Sequence, residues 1–190
     1  MSKIRSFLAI ELPSAIAKGI ERVQHDLKQS HADVRWVEPS RIHLTLKFFG
    51  TIDEEACDEI MDTVGKAVSE VKPFTLSIKG LGVFPRWQNP RVVWLGVEDG
   101  GGVVKPLQRA IEECLEGIGY PREARDFKPH LTLGRVRSGK GKSELLRRIE
   151  DLLHINLGEF RVERLVLFKS DLRPSGPIYT ELRALILGGG

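Results

Sequence analysis

One hundred and ninety residues, 41 % apolar and 29 % charged, suffice for one full-sized hydrophobic core and are short for two. That balance excludes a disordered tail and a membrane-embedded chain, and a formal net charge of only +3 excludes a protein that coats duplex nucleic acid by charge alone. Any anion has to be held by a local site.

In chain order, Met1-Ser2-Lys3-Ile4-Arg5 lacks the apolar stretch and cleavage site of a signal peptide, and the chain is expected to stay in the cytoplasm. A strand is predicted over 5–12, then a helix over 14–29 with Ile16, Ile20, Val23 and Leu27 on one face. A strand over 42–49 leads to a helix over 53–71, opened by Asp53-Glu54-Glu55 and striped by Cys57, Ile60, Met61, Val64 and Val68. A strand over 74–79 follows, then a loop from Gly82 to Pro90 and a strand over 91–97. The next helix spans 103–118, with Val104, Leu107, Ile111, Cys114 and Ile118 aligned and Gly119-Tyr120-Pro121 stopping it. A strand over 130–137, a helix over 143–154 capped by Ser143, and strands over 160–168 and 178–187 complete the chain. The only cysteines, Cys57 and Cys114, both fall on apolar stripes and read as buried, reduced thiols, and no Cys–His spacing suggests zinc.

Strand, helix, strand, helix, strand occurs twice, and corresponding elements lie about 85 to 90 residues apart. This period reads as a duplicated unit, about 1–85 and 86–175, within a single bilobal domain covering 1–190. The expected fold class is α+β: two pseudo-twofold-related lobes, each a mainly antiparallel sheet with helices on its outer face, and an active-site cleft between them. Terminal strands can cross from one lobe to the other.

One tetrapeptide recurs at the equivalent place in both units, His43-Leu44-Thr45-Leu46 and His130-Leu131-Thr132-Leu133, 87 residues apart. Side chains alternate along a strand, so each His and Thr share one face while the leucines anchor the other. A pseudo-twofold then gathers two imidazoles and two hydroxyls around one small volume. Histidine alone has an ordinary pKa, about 6.5, that lets one copy be neutral and the other protonated near neutral pH. A neutral ring can take a proton from water, a protonated one can give a proton to a leaving oxygen, and the hydroxyls can donate to phosphate oxygens. That chemistry needs no metal and no cofactor. His25, His31 and His154 have no comparable partners and read as surface or helix-end residues.

The paired tetrads, with Arg5-Ser6-Phe7-Leu8-Ala9-Ile10, Trp36-Val37, Lys47-Phe48-Phe49-Gly50, Pro90-Arg91-Val92-Val93-Trp94 and Gly134-Arg135, closely resemble the 2H phosphoesterase superfamily. Within it, the chain is similar to the RNA 2′,3′-cyclic phosphodiesterases, also called 2′-5′ RNA ligases. The resemblance implies a hydrolase that opens a terminal 2′,3′-cyclic phosphate to a 2′-phosphomonoester. By motif position His43 is the implied proton donor and His130 the proton acceptor, with Thr45 and Thr132 holding the phosphate. It further implies reversible 2′-5′ joining of RNA ends, with RNA ends, cyclic nucleotides and tRNA fragments as partners; separately, the strand-sized apolar runs imply no membrane, and a monomer is expected.

Four more residues are candidates for substrate binding. Lys47 continues the polar face of the first tetrad strand, and Trp36 and Phe48, with Trp87 and Phe127 behind them, could stack a terminal base. Strict alternation faces Arg135 away from His130, unless a bulge at Gly134 turns it into the cleft. Arg122, Arg125, Lys128, Arg137, Lys140 and Lys142 could form a basic border for RNA. Two rival readings remain: a nucleotide or RNA-end binding module without turnover, and a metallohydrolase, for which no carboxylate-rich ligand set lies near the tetrads.

Overall fold

A computed structural model describes residues 2–174 and 176–188. Its strands are β1 (Lys3–Glu11), β2 (Val34–Trp36), β3 (His43–Asp53), β4 (Phe74–Arg86), β5 (Asn89–Glu98), β6 (His130–Val136), β7 (Asn156–Val162), β8 (Arg164–Asp171) and β9 (Ile178–Ile186). Its helices are α1 (Ser14–Lys28), α2 (Cys57–Ala67), α3 (Val104–Glu116) and α4 (Lys142–Asp151). Two antiparallel sheets result, in the orders β3-β1-β8-β9 and β2-β6-β5-β4-β7.

The strands do cross over. In both units the first strand pairs with the tetrad strand (β1 with β3, β5 with β6), whereas the closing strand pairs into the other sheet: β4 lies beside β5, and β8 beside β1. The helices exchange too. Helices α2 and α3 pack together under the four-stranded sheet, against β9 and β3, while α1 and α4 pack under the five-stranded sheet, against β7 and β4. The first lobe is therefore built around β1, β3, β8, β9, α2 and α3.

One continuous apolar cluster fills the helix side of both sheets and includes Ile4, Leu8, Leu44, Leu46, Leu95, Ile111, Leu131 and Leu133. The opposite face of the four-stranded sheet carries a small second cluster of Phe7, Ala9, Val166 and Phe168, with Tyr179 against it. Alternation along β1 explains the division, since Leu8 and Ile10 point to the helices while Phe7 and Ala9 point away.

Several expectations are corrected. The expected loop from Gly82 is instead ladder through Arg86, because Gly82 leaves room for the Trp94 ring, 2.5 Å from where a Cβ would stand. Pro85 and Pro90 face each other near the hairpin end, where a missing N–H costs least. Helix α2 begins at Cys57, after a short turn over Glu54–Ala56, and Asp53 ends β3, where it pairs with Lys3 at 2.9 Å. The expected strand 160–168 is two strands in different sheets, broken at Glu163, whose carbonyl accepts the Leu187 N–H at 2.8 Å. Cys57 is buried, but Cys114 is exposed. The buried stripe of α3 runs through Val104, Leu107, Gln108, Ile111, Glu112 and Leu115 and passes Cys114 by.

Candidate active site

Both tetrads have the alternation their sequence demands. Leu44, Leu46, Leu131 and Leu133 are buried, while His43, Thr45, His130 and Thr132 on the opposite face are partly exposed. The Nδ1–H of His43 donates to the Arg41 carbonyl at 2.9 Å, and the Nδ1–H of His130 donates to the Lys128 carbonyl at 2.7 Å. A carbonyl can only accept, so Nδ1 holds its hydrogen in either ring and Nε2 is the nitrogen available to exchange a proton. Two copies of one strand thus hold two imidazoles in the same tautomer.

Their surroundings differ. His43 stacks on Phe7 with centroids 4.5 Å apart and planes at 18°, and Tyr179 meets it edge-on at 5.3 Å. Burial in this aromatic setting pushes its pKa from 6.5 down to about 4, against the Arg41 carbonyl bond, which favours the charged ring. Among the described residues, the one aromatic ring paired with His130 is Phe84, nearly perpendicular to it at 5.1 Å, and Phe84 in turn stacks on Trp94.

The residues after each tetrad depend on a bulge. In the β1–β3 ladder Leu8 faces Lys47 and Ala9 faces Thr45, leaving Leu46 as an extra residue. In the β5–β6 ladder Val93 faces Gly134 and Trp94 faces Thr132, leaving Leu133 as the extra one. Each bulge sends two consecutive residues inward and returns the third to the His/Thr face. Arg135 is thereby turned to the side of His130 and Thr132, and Phe48 to the side of His43, where it is 55 % exposed and 6.0 Å from Phe7.

Lys47 is moved the other way, and the expectation that it lines the cleft is corrected. It is 3 % exposed and points under the sheet, where Nζ donates to Glu112 Oε2 at 2.7 Å and to the Pro121 carbonyl at 2.5 Å. Trp36, on the edge strand β2 opposite Gly134, is half-buried against the core, as are Trp87 and Phe127. Of the basic border, Arg122 is engaged by Glu113 and Glu116, while Arg125, Lys128, Arg137 and Lys140 are exposed. His25, His31 and His154 are exposed, as expected.

The two tetrad strands approach one another where the sheets meet. A charge relation also spans that junction: Tyr179, beside His43, has its pKa raised by burial and lowered by the charges of Arg41, Arg5 and Arg135, the last of them from β6. Sequence reasoning missed Tyr179, Arg5 and Arg41. Arg5 was recoverable from alternation, being two residues before Phe7 on one strand face, but Tyr179 needed the pairing of β8 with β9, which sets it opposite Ser170. Among the described residues, no group of three or more His, Cys, Asp or Glu side chains is placed to hold a metal ion, and no helix is long and apolar enough to cross a membrane. Two cavities, about 610 and 730 Å³, are lined by neither imidazole.

A family model described as the 2′-5′ RNA ligase superfamily matches residues 12–174. The chain belongs to that family. It is 39 % identical to the RNA 2′,3′-cyclic phosphodiesterase of Methanothermobacter thermautotrophicus over 97 % of this chain and 100 % of that one. It is 32 % identical to the Aquifex aeolicus protein of the same name, over the whole of both chains. A Thermus thermophilus protein of known structure superposes with a TM-score of 0.76 at 28 % identity, covering 98 % of this chain and 99 % of its own. Escherichia coli LigT, solved with 3′-AMP, has the same fold at a TM-score of 0.74 and 24 % identity, covering 98 % and 99 % of the two chains. The α+β architecture read from the strand and helix pattern is thus shared with these solved structures.

Proposed function

We propose that this chain is an RNA 2′,3′-cyclic phosphodiesterase, opening a terminal 2′,3′-cyclic phosphate to a 2′-phosphomonoester with its two tetrad histidines. The observation that carries the reading is the repeated local geometry: each Nδ1 tied to a carbonyl, each Nε2 without a hydrogen-bond partner among the described residues, each Thr on the same face. The phosphorus lies between the two rings. Nε2 of His130 takes a proton from water, the water oxygen bonds to phosphorus, and the bond from phosphorus to the 3′ oxygen breaks. Nε2 of His43 gives its proton to that oxygen. Thr45 and Thr132 donate to the non-bridging oxygens, where negative charge grows in the transition state.

Burial keeps His43 neutral in the free protein at pH 7, so the ring takes up the proton it donates from solvent as the substrate anion binds. A phosphate anion beside Nε2 favours the charged ring and raises its pKa, which couples binding to readiness for catalysis. Arg135 supplies a planar fork for phosphate, and the exposed Phe48 ring a surface for a base. With the 5′ hydroxyl of a second RNA end in place of water, the same proton transfers open the cyclic phosphate to a 2′-5′ linkage, a joining that is reversible. RNA ends, tRNA fragments among them, are the proposed partners of a cytoplasmic monomer built from one duplicated bilobal domain.

The test is turnover of a nucleoside 2′,3′-cyclic phosphate in EDTA, with the product identified as the 2′-monophosphate. His43→Ala and His130→Ala should each lower the rate about 10²–10⁴-fold while leaving the fold intact. Tight binding with no turnover in the unaltered chain would support the binding module instead, and loss of activity on chelation the metallohydrolase. Arg135→Gln should raise KM for an RNA oligonucleotide and lower the slope of log affinity against log salt by about 1, the loss of one phosphate contact. An unchanged salt slope would remove Arg135 from the RNA path.

A further inference from the structure

Two buried amides sit where the stripes of α1 and α3 call for leucine. Gln24 is 1 % exposed and Gln108 is 7 % exposed. An unpaired polar group there opposes folding, so the hydrogen bonds these side chains make explain their presence. Gln24 Nε2 donates to the Leu133 carbonyl at 3.0 Å, which also accepts the Val37 N–H at 2.9 Å, and to the Val37 carbonyl at 2.7 Å. Leu133 is the extra residue of the bulge after His130-Leu131-Thr132, and Val37 lies on the segment that enters the His43 strand. Gln24 Oε1 has no hydrogen-bond partner among the described residues, so the amide acts there as a donor.

The other unit mirrors this arrangement. Gln108 Nε2 donates to the carbonyl of Leu46, the extra residue after His43-Leu44-Thr45, at 3.3 Å, and to Glu112 Oε1 at 3.2 Å. Glu112 Oε2 accepts from Lys47 Nζ and, at 3.1 Å, from the Glu123 N–H, while Lys47 also holds the Pro121 carbonyl. Residues 121 and 123 lie on the segment that enters the His130 strand. Each brace therefore joins the bulge behind one tetrad to the lead-in of the other, and each is carried by a helix from the opposite sequence unit.

We infer that Gln24 and Gln108 are a reciprocal pair of positioning residues that set the separation of His43 and His130. A bulged strand can flex at its extra residue, and each amide adds a side-chain hydrogen bond to the carbonyl there. In-line proton exchange at two rings on either side of one phosphorus tolerates little flexing, since a misplacement of about 1 Å can cost a hundredfold in rate. Substrate contacts come instead from the His/Thr face, which the braces do not touch. The inference rests on the two-histidine reading above.

The experiment uses Gln24→Met and Gln108→Met in the full chain, each preserving volume and removing the donor. For cyclic phosphate hydrolysis, kcat should fall about 10- to 100-fold while KM and the Kd for the 2′-phosphate product stay within about threefold of the unaltered chain. The double variant should lose less than the product of the two single losses, because both braces fix one separation. Should a methionine variant fail to fold, the asparagine variant, whose amide falls one methylene short, takes its place with the same expectation. Folded variants with unchanged kcat, or with kcat and product affinity lost together, overturn the inference. If His43→Ala and His130→Ala retain activity, the two-histidine reading fails and the braces fall with it, whereas inactive alanine variants beside active glutamine variants reject the braces alone.

Discussion

An imidazole pressed against Phe7 has lost much of the water that would solvate its charge, and the Arg41 carbonyl returns only part of that loss. His43 is the residue on which pH acts most directly. Its folded pKa, about 4, lies below its ordinary 6.5. The neutral ring is thus favoured on folding: this stabilisation is fully present above about pH 6.5 and is lost as pH falls from there toward 4. It amounts to at most about 3 kcal/mol, so His43→Gln should flatten the stability curve between those pH values in urea titrations. A nitrogen-15 NMR titration should place the free ring near 4 and move it upward when a 2′-nucleotide is added. An unmoved ring would count against its role as the proton donor. His43, Thr45, His130 and Thr132 could be read from sequence because strand alternation alone decides their side. Lys47 could not, since one extra residue in the ladder reverses it, and Gln24 and Gln108 were hidden by the apolar stripes around them.

Bulges and braces do their work between elements. Lys47 and Glu112 fasten β3 to α3 as an ion pair almost without solvent, at 2.7 Å and 3 % and 6 % side-chain exposure. Removing one partner strands a buried charge, whereas removing both leaves an apolar contact. Lys47→Met or Glu112→Leu alone should therefore cost about 3–5 kcal/mol, and the double variant distinctly less than the sum, in denaturant unfolding. Additive losses would mean that the two side chains do not act as a pair. Strand and helix patterns in the sequence were sufficient to find the four helices and most strands. The exceptions share a cause: neither the three-residue β2 nor the change of sheet at Glu163 has a Gly, a Pro or a break in periodicity to announce it. Both are fixed by partners distant in sequence, β6 for the first, and β4 and β1 on either side of the second.

At the scale of the molecule, the exchanged strands and helices change what a lobe is. A chain of two similar units could have folded as two beads, each with its own core, and the repeat period alone is compatible with that. Here β4 and α1 of the first unit complete the five-stranded lobe, and β8 and α3 of the second complete the other. Neither unit can bury its apolar face without the other, and one apolar cluster runs through both. Unfolding should accordingly be a single transition, with calorimetric and van't Hoff enthalpies equal and with far-ultraviolet and tryptophan signals coincident. Trp36, Trp87 and Trp94 all report on the five-stranded lobe. Their agreement with ring signals from Tyr179 in the four-stranded lobe is the sharper comparison. Two separated transitions would mean that each lobe holds together by itself. The same interleaving fits the proposed two-histidine site, because elements that cross between lobes carry the proposed braces behind each histidine.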